Sequence, residues 1–282
     1  MNGGLVRLRE VLDRLTPSER KVAKFILEHP QAMIGMSVAQ LAERSGGSQA
    51  AVIRLCKSMG FKGYQELMLK VAGDLQEGVG FGYQEIQPQD SIASIVQHVS
   101  NNNIQSIRDT LKILDVAMIT KAIDALYEAD RIFLYGVGAS NLVAQDAQHK
   151  FMRINKTSFA FTDTHLQMSS AATMTPRDAA IGISYSGETQ NVVASLKLAK
   201  EKGAATITIT KYGHTPVSAL ADIPLYMTST ENEIRVGATS SRITQLNVID
   251  ILYMGMASKD YEKSVEYLEM SREAVKVLKG KD

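Results

Sequence analysis

The sequence predicts two domains of different class, an all-α module followed by a three-layer α/β domain on a five-stranded parallel sheet. Three observations predict this. Every segment before residue 78 has helical period. A stretch with three glycines, one proline and no period then follows, Gly78 to Asp90, which reads as a linker. Beyond it, short apolar runs alternate with helices of ten to twenty residues, as a parallel sheet covered on both faces requires. The expected limits are 1–77, 78–90 and 91–282, and a length of 282 residues suits about two domains.

In the first module Thr16-Pro-Ser-Glu-Arg20 reads as a helix start, with Thr16 or Ser18 as cap, Pro17 in the first turn, and Val22, Phe25 and Ile26 at core spacing. Residues 36–59 then read as helix, turn, helix, with the break at Ser45-Gly-Gly47. In the second of these helices Val52, Leu55, Cys56 and Met59 recur at i, i+3, i+4 and i+7 and face inward. Ser48 caps its start, and Gln49, Ala50, Ile53, Arg54 and Lys57 form the outward face, with Ala50 and Ala51 small enough for close approach to a surface. An amide at such a helix start, with the two cations one to two turns on, suits base edges and phosphates in a DNA groove. Residues 1–77 carry eleven Lys and Arg against eight Asp and Glu, a net +3, although the whole chain is only +1. A two-helix corner that touches no DNA is the other reading. Arg7, Arg9, Lys21 and Lys24 are scattered on amphipathic helices, where basic residues serve solubility.

In the second domain two helices, 91–114 and 116–129, precede expected strands at 131–135, 157–161, 179–184, 205–209 and 223–227. Two loops rich in Gly and Ser leave strand ends and open onto helices: Gly136-Val-Gly-Ala-Ser140 and Ser184-Tyr-Ser-Gly-Glu-Thr189. A helix N-terminus offers unpaired N–H groups and a positive dipole end, and hydroxyls add donors, so the second loop is a candidate phosphate cradle. Both loops belong to one crevice at the strand C-termini. A dinucleotide site is the rival reading, from Gly136-Val-Gly138 with Asp163 as ribose-binding acid, but Asn141 stands where that fingerprint needs Gly or Ala. The apolar helix 243–254 suits either a partner chain or its own sheet.

These residues carry a family resemblance. Ser184-Tyr-Ser-Gly-Glu-Thr189 resembles the phosphate-binding signature of sugar isomerase (SIS) domains, and the glycine loop ending at Ser140, Thr162-Asp-Thr-His-Leu166 and Thr239-Ser-Ser-Arg242 fit the same pattern. With Pro17-Ser-Glu-Arg-Lys21 and the helix-turn-helix, the chain resembles RpiR-type transcription regulators over almost its whole length, within them the MurR-like branch. The resemblance implies that Ser184, Ser186, Gly187 and Thr189 hold a phosphate and that Ser140 binds the sugar from the opposite loop. It also implies that Glu231, Arg235, Ser240 and Arg242 close the site and that Asp163 and His165 meet the ligand, which in that branch is N-acetylmuramic acid 6-phosphate.

The expected function is therefore a transcriptional regulator, a repressor of sugar or amino-sugar genes, gated by a sugar phosphate and without turnover, cofactor or metal. An aldose-ketose isomerase using Glu231 and His165 as acid and base is the alternative, and a phosphosugar lyase with the same base a third. A DNA-reading module joined to a phosphosugar site favours sensing, which needs only differential binding between two states. The expected partners are double-stranded operator DNA, the sugar phosphate and further copies of the chain, as homodimer or homotetramer. A single cysteine, Cys56, excludes an internal disulfide or a thiolate zinc ribbon. No apolar run approaches the roughly 20 residues of a membrane span, so a cytoplasmic protein is expected.

Overall fold

A computed structural model of the chain describes residues 3–76, 87, 89–229, 231 and 238–277. Two compact units emerge: Met1–Ile113 with Met227–Glu233, and Leu114–Tyr226 with Ile234–Asp282.

The first unit is helical, with α1 (Gly4–Val11), α2 (Pro17–Glu28), α3 (Pro30–Met33), α4 (Val38–Ser45), α5 (Gln49–Ser58), α6 (Tyr64–Gln76) and α7 (Ile92–Ile113). The expected start of α2 is a capping box: Pro17 occupies the first turn, and the Thr16 N–H and hydroxyl both donate to Glu19 Oε2, at 3.1 and 2.7 Å. A second box, Ser37 with Gln40, starts α4, and Gly46, at φ 63°, ends it in the left-handed conformation that glycine adopts without penalty. Leu8, Val22, Ile26, Met33, Leu41, Val52, Leu55, Met59, Leu67 and Val71 are fully buried and form the core. The start of α1 is held by Asp74, whose carboxylate accepts from Gly3 N at 2.6 Å and Leu5 N at 2.8 Å, a negative group at the positive end of a helix dipole.

The first compact unit also takes in α7 and Met227–Glu233. The cut falls after Ile113, because α7 is tied to the N-terminal helices through polar side chains. Arg9 lies 4.0 Å from Asp109. Thr110 Oγ1 accepts from Thr228 N at 3.1 Å and donates to Thr228 O at 3.0 Å, while the Thr228 hydroxyl donates to Glu10. That last contact brings the segment after the fifth strand into this unit. Most of the expected linker lies outside the described residues.

The second unit holds β1 (Ile132–Tyr135), β2 (Ser158–Phe159), β3 (Ala179–Ile183), β4 (Ala205–Lys211) and β5 (Ile223–Met227), in the spatial order β2-β1-β3-β4-β5. All five expected strands are present and the sheet is parallel, although β2 shrinks to two residues. Its helices are α8 (Val116–Glu128), α9 (Ala139–Arg153), α10 (Thr164–Ala172), α11 (Gln190–Glu201), α12 (Thr239–Lys259) and α13 (Tyr261–Val277). Every residue of β1 and β3 is buried, so both faces are covered. Phe133, Tyr135 and Ala180 face Ala171 of α10 and Val192, Leu196 and Ala199 of α11. The alternate positions Ile132, Leu134 and Ile181 point the other way by strand period, toward the layer of α8, α9 and α12. In the apolar helix read at 243–254, Val248, Ile249 and Leu252 are fully buried, and α12 packs on α8 and α9. Arg131 grips Asp178 at 2.9 and 2.6 Å, fixing the start of β1 to the start of β3.

Candidate functional site

The strand order reverses between β1 and β3, since the chain leaves β1 for β2 on one side and returns to β3 on the other. The loops beyond these two strands diverge there, at the C-terminal edge of the sheet, which is where open parallel sheets hold their ligands. Both Gly/Ser loops leave from this point, because Tyr135 pairs with Gly182 in register.

In the second loop the hydroxyls gather. Ser184 Oγ lies 2.9 Å from Thr189 Oγ1 and 3.5 Å from Ser186 Oγ, and it accepts from Gly187 N at 3.1 Å. Ser186 Oγ accepts from Glu188 N at 3.2 Å. Ser184 is buried beneath the loop, whereas Ser186 and Thr189 are half-buried at its surface. Thr189 is the N-cap of α11, yet its side chain makes no cap bond. The hydroxyl cluster therefore stands beside helix N–H groups that the N-cap side chain of Thr189 leaves uncapped, with the dipole's positive end behind them. Gly187 has φ 70° and lies against Thr215, so no side chain fits there.

In the first loop Gly136 is needed because a Cβ would lie 2.8 Å from Ser140 O, and Gly138 turns at φ 60° into α9. Ser140 Oγ is 3.2 Å from Gln245 Nε2 of α12. Asn141, the residue that departs from the dinucleotide fingerprint, donates to Gly136 O at 3.2 Å and Phe161 O at 2.9 Å. Gln167, fully buried, donates to the same two carbonyls at 2.9 and 2.7 Å. These two amides clamp the turn after β1 to the turn after β2, and Gln145 holds Asn141 Oδ1 at 2.6 Å. Sequence reasoning missed Gln167 and Gln245. Their signal was an amide at a helix position that the apolar pattern reserves for the core.

The remaining expected residues are dispersed. Asp163 caps α10, accepting from Leu166 N at 2.9 Å, and His165 is exposed in that helix's first turn. In the first turn of α12 Ser240 is buried and Arg242 exposed. Glu231 belongs to the first unit, and Arg235 lies outside the described residues.

On α5 the expected faces separate cleanly, with one exception. Ser48 caps the helix, accepting from Ala51 N at 3.1 Å, and Gln49, Ala50, Ile53, Arg54 and Lys57 are all exposed. Ala51, expected outside with Ala50, is fully buried. One residue separates them, and at 100° per residue that step carries Ala51 round to the core face. Cys56 is buried and burial pushes its thiol up to about 11, which suits a core residue. Arg54 Nε donates to Glu19 Oε1 at 3.2 Å. Glu19 is buried, which raises its pKa, but the Thr16 hydrogen bonds and Arg54 outweigh this and hold it below the ordinary carboxylate range. Arg54 is thus braced from the α2 start rather than projecting freely.

Comparison with known proteins agrees with both halves. The helix-turn-helix domain of the rpiR family matches residues 2–78, and the SIS domain matches residues 125–255. The uncharacterized HTH-type transcriptional regulator YbbH of Bacillus subtilis is 44% identical over 280 residues, spanning 99% of each chain. The HTH-type transcriptional regulator HexR of Pseudomonas aeruginosa is 35% identical over 256 residues, 91% of this chain and 90% of its own. Among solved structures, the Vibrio vulnificus NanR protein complexed with ManNAc-6P matches with a TM-score of 0.63 and 28% identity, covering 99% of this chain and 100% of its own. The chain belongs to the RpiR family of transcriptional regulators, which join a helix-turn-helix domain to a SIS domain.

Proposed function

We propose that this regulator is a repressor gated by a phosphorylated amino sugar, N-acetylmuramic acid 6-phosphate or a close analogue, bound in the crevice of the second unit. The observation that carries the reading is the convergence of Ser186 and Thr189 on Ser184, at 3.5 and 2.9 Å, at a helix start that the N-cap side chain of Thr189 leaves uncapped. Ser186 and Thr189, the accessible pair, donate to phosphate oxygens together with N–H groups of α11, and Ser184 holds the loop's shape beneath them. Ser140, oriented by Gln245, meets the sugar from the opposite loop. Asp163, His165, Ser240 and Arg242 of the same unit are the further candidates for ligand contact. That NanR, a relative across the whole chain, was solved with ManNAc-6P supports a phosphorylated amino sugar as the class. On the DNA side, α5 enters the major groove with Gln49, Ala50, Ile53 and Arg54 toward bases and Ser48 and Lys57 toward phosphates.

Fluorescence anisotropy on DNA from upstream of the chain's own gene, at fixed salt, tests this. One of N-acetylmuramic acid 6-phosphate, ManNAc-6P or glucosamine 6-phosphate should weaken operator binding about 5- to 150-fold, a coupling of about 1–3 kcal/mol. In Ser186→Ala/Thr189→Ala the operator affinity should persist and the response vanish. Specific DNA binding indifferent to all three sugars, or turnover of any of them, would overturn the gated-repressor reading.

A further inference from the structure

We propose that the cleft between α9 and α13 is a second ligand site, remote from the phosphate loop, for an organic phosphate that carries a flat apolar ring. Both helices belong to the second unit, and the cavity between them has a volume of about 660 Å³, a size that suits one small organic molecule. From α9 it is lined by His149, Met152 and Arg153, and from α13 by Arg272, Val275 and Lys276. Each set falls at i, i+3 and i+4, so each helix turns one face to the cavity, with an apolar side chain set between basic ones. Ser140, in the first turn of the same α9, lies about 20 Å along the helix from Arg153, so the cleft and the phosphate loop stand at opposite ends of it.

The charges identify one end of the ligand. Among the described residues no carboxylate lines the cavity, and the side chains of His149, Arg153 and Arg272 have no hydrogen bond or ion pair of their own. Lys276 is answered by Glu273 at 2.5 Å. Basic residues near a helix end commonly serve its last carbonyls. Arg153 is not needed for that: Phe151 O accepts from Ile154 N at 3.1 Å and from Lys156 N at 2.9 Å, and Met152 O accepts from Asn155 N at 3.0 Å. Two guanidinium groups without a counter-charge match a phosphate monoester, which carries about −1.5 to −2 at pH 7, better than they match one carboxylate. The apolar members identify the other end. Met152 and Val275 are 59 and 48% exposed. A flat ring covers both, with the methionine sulfur favourable against the ring and a guanidinium able to stack on its face. A bare sugar phosphate would set hydroxyls against these two side chains, where they lose water and gain no partner.

Calorimetric titration of the full chain with ATP, GTP, FMN and inorganic pyrophosphate tests the site, whatever the effector of the phosphate loop. At least one of the three ring phosphates should bind with a Kd below roughly 0.1 mM, and pyrophosphate at least about tenfold more weakly. Arg153→Glu/Arg272→Glu changes two exposed positions, so its far-UV circular dichroism should match wild type, while its affinity for that ring phosphate should fall roughly 30-fold or more. Met152→Ala should weaken the ring phosphate roughly 2- to 10-fold and leave pyrophosphate unchanged. Ser186→Ala/Thr189→Ala should bind the ring phosphate as wild type does, which separates this cleft from the phosphate loop. No ring phosphate bound below about 1 mM, pyrophosphate bound as tightly as the best of them, or binding that survives Arg153→Glu/Arg272→Glu but is lost in Ser186→Ala/Thr189→Ala would each overturn the proposal. A folded Arg153→Glu/Arg272→Glu protein whose only loss is non-specific DNA affinity would overturn it too, and assign the cleft to the DNA backbone.

Discussion

Gly187→Ala strikes the phosphate loop where it is tightest. At φ 70° a non-glycine residue costs about 1–2 kcal/mol. The new Cβ would also overlap the Thr215 side chain, lying 2.5 Å from its Cβ and close to its Oγ1. Thr215 has nowhere to go, because its N–H donates to Ser218 Oγ at 2.9 Å and its Oγ1 accepts from Ser218 N at 3.0 Å. Overpacking a held neighbour adds about 1–3 kcal/mol, giving roughly 2–5 kcal/mol in all. The strain cannot stay local. Gly187 N donates to Ser184 Oγ and its carbonyl accepts from Val217 N at 2.9 Å, so relief displaces the hydroxyls as well. Urea unfolding should show the lost stability, and calorimetric titration with the effective sugar phosphate should show affinity reduced at least about tenfold. Thr215→Gly combined with Gly187→Ala should recover the steric share but not the backbone share, so the pair should couple favourably in a double-mutant cycle. A Gly187→Ala protein within about 0.5 kcal/mol of wild type, with unchanged ligand affinity, would refute this account of the loop.

The two clamping amides should behave non-additively. Asn141→Leu or Gln167→Leu alone should cost about 1–2 kcal/mol, since each leaves the other donor on the shared carbonyls, and the double variant should cost more than the two together because both carbonyls then lose their partners. Equal, strictly additive losses in urea unfolding would count against a shared clamp. Arg54→Ala should weaken operator binding by about 1–3 kcal/mol with relaxed sequence preference if it reads a base, or lower the salt slope by about 1 if it meets phosphate, and no change in either would remove α5 from the groove. Glu19 should make the helical unit acid-sensitive. Its folded pKa lies below the unfolded value of 4.5, so its stabilisation is complete above about pH 5 and lost as pH falls through the folded pKa. Glu19→Gln should flatten that acid limb of a pH series of unfolding free energies, and an unchanged limb would show that the Thr16 and Arg54 bonds contribute nothing there.

Patterns local to the chain were the legible part. The five strands, the capped start of α2 and the outward residues of α5 follow from periodicity, caps and turn chemistry, which a sequence displays directly. Ala51 was misjudged because smallness is not orientation: one residue on a helix turns through 100°. That α7 packs with the first unit was not legible, because Arg9 and Thr228, which hold Asp109 and Thr110 there, are remote in sequence and no local pattern reveals their pairing. At the site, the hydroxyl loop was visible as a motif, whereas the division of labour within it was not. Burial separates Ser184 from Ser186, and it depends on how β3 and β4 abut, through Ser184 N donating to Ile209 O. Gln167 and Gln245 escaped for a similar reason, since their partners are backbone carbonyls and a hydroxyl on other elements.

Because Met227–Glu233 belongs to the first unit, the polypeptide passes between the two units three times. Inheritance by shuffling is thereby constrained. A recombination event that brought in a foreign DNA-reading module at residue 78 would keep the Thr110 pairing with Thr228 but replace Glu10, which meets that same threonine from 218 positions away. One at residue 113 would strand Thr228 from both partners at once. New regulators of this kind should therefore arise by co-inheritance of Glu10, Thr110 and Thr228, and chimaeras that swap any one alone should be repaired by restoring its matching partner.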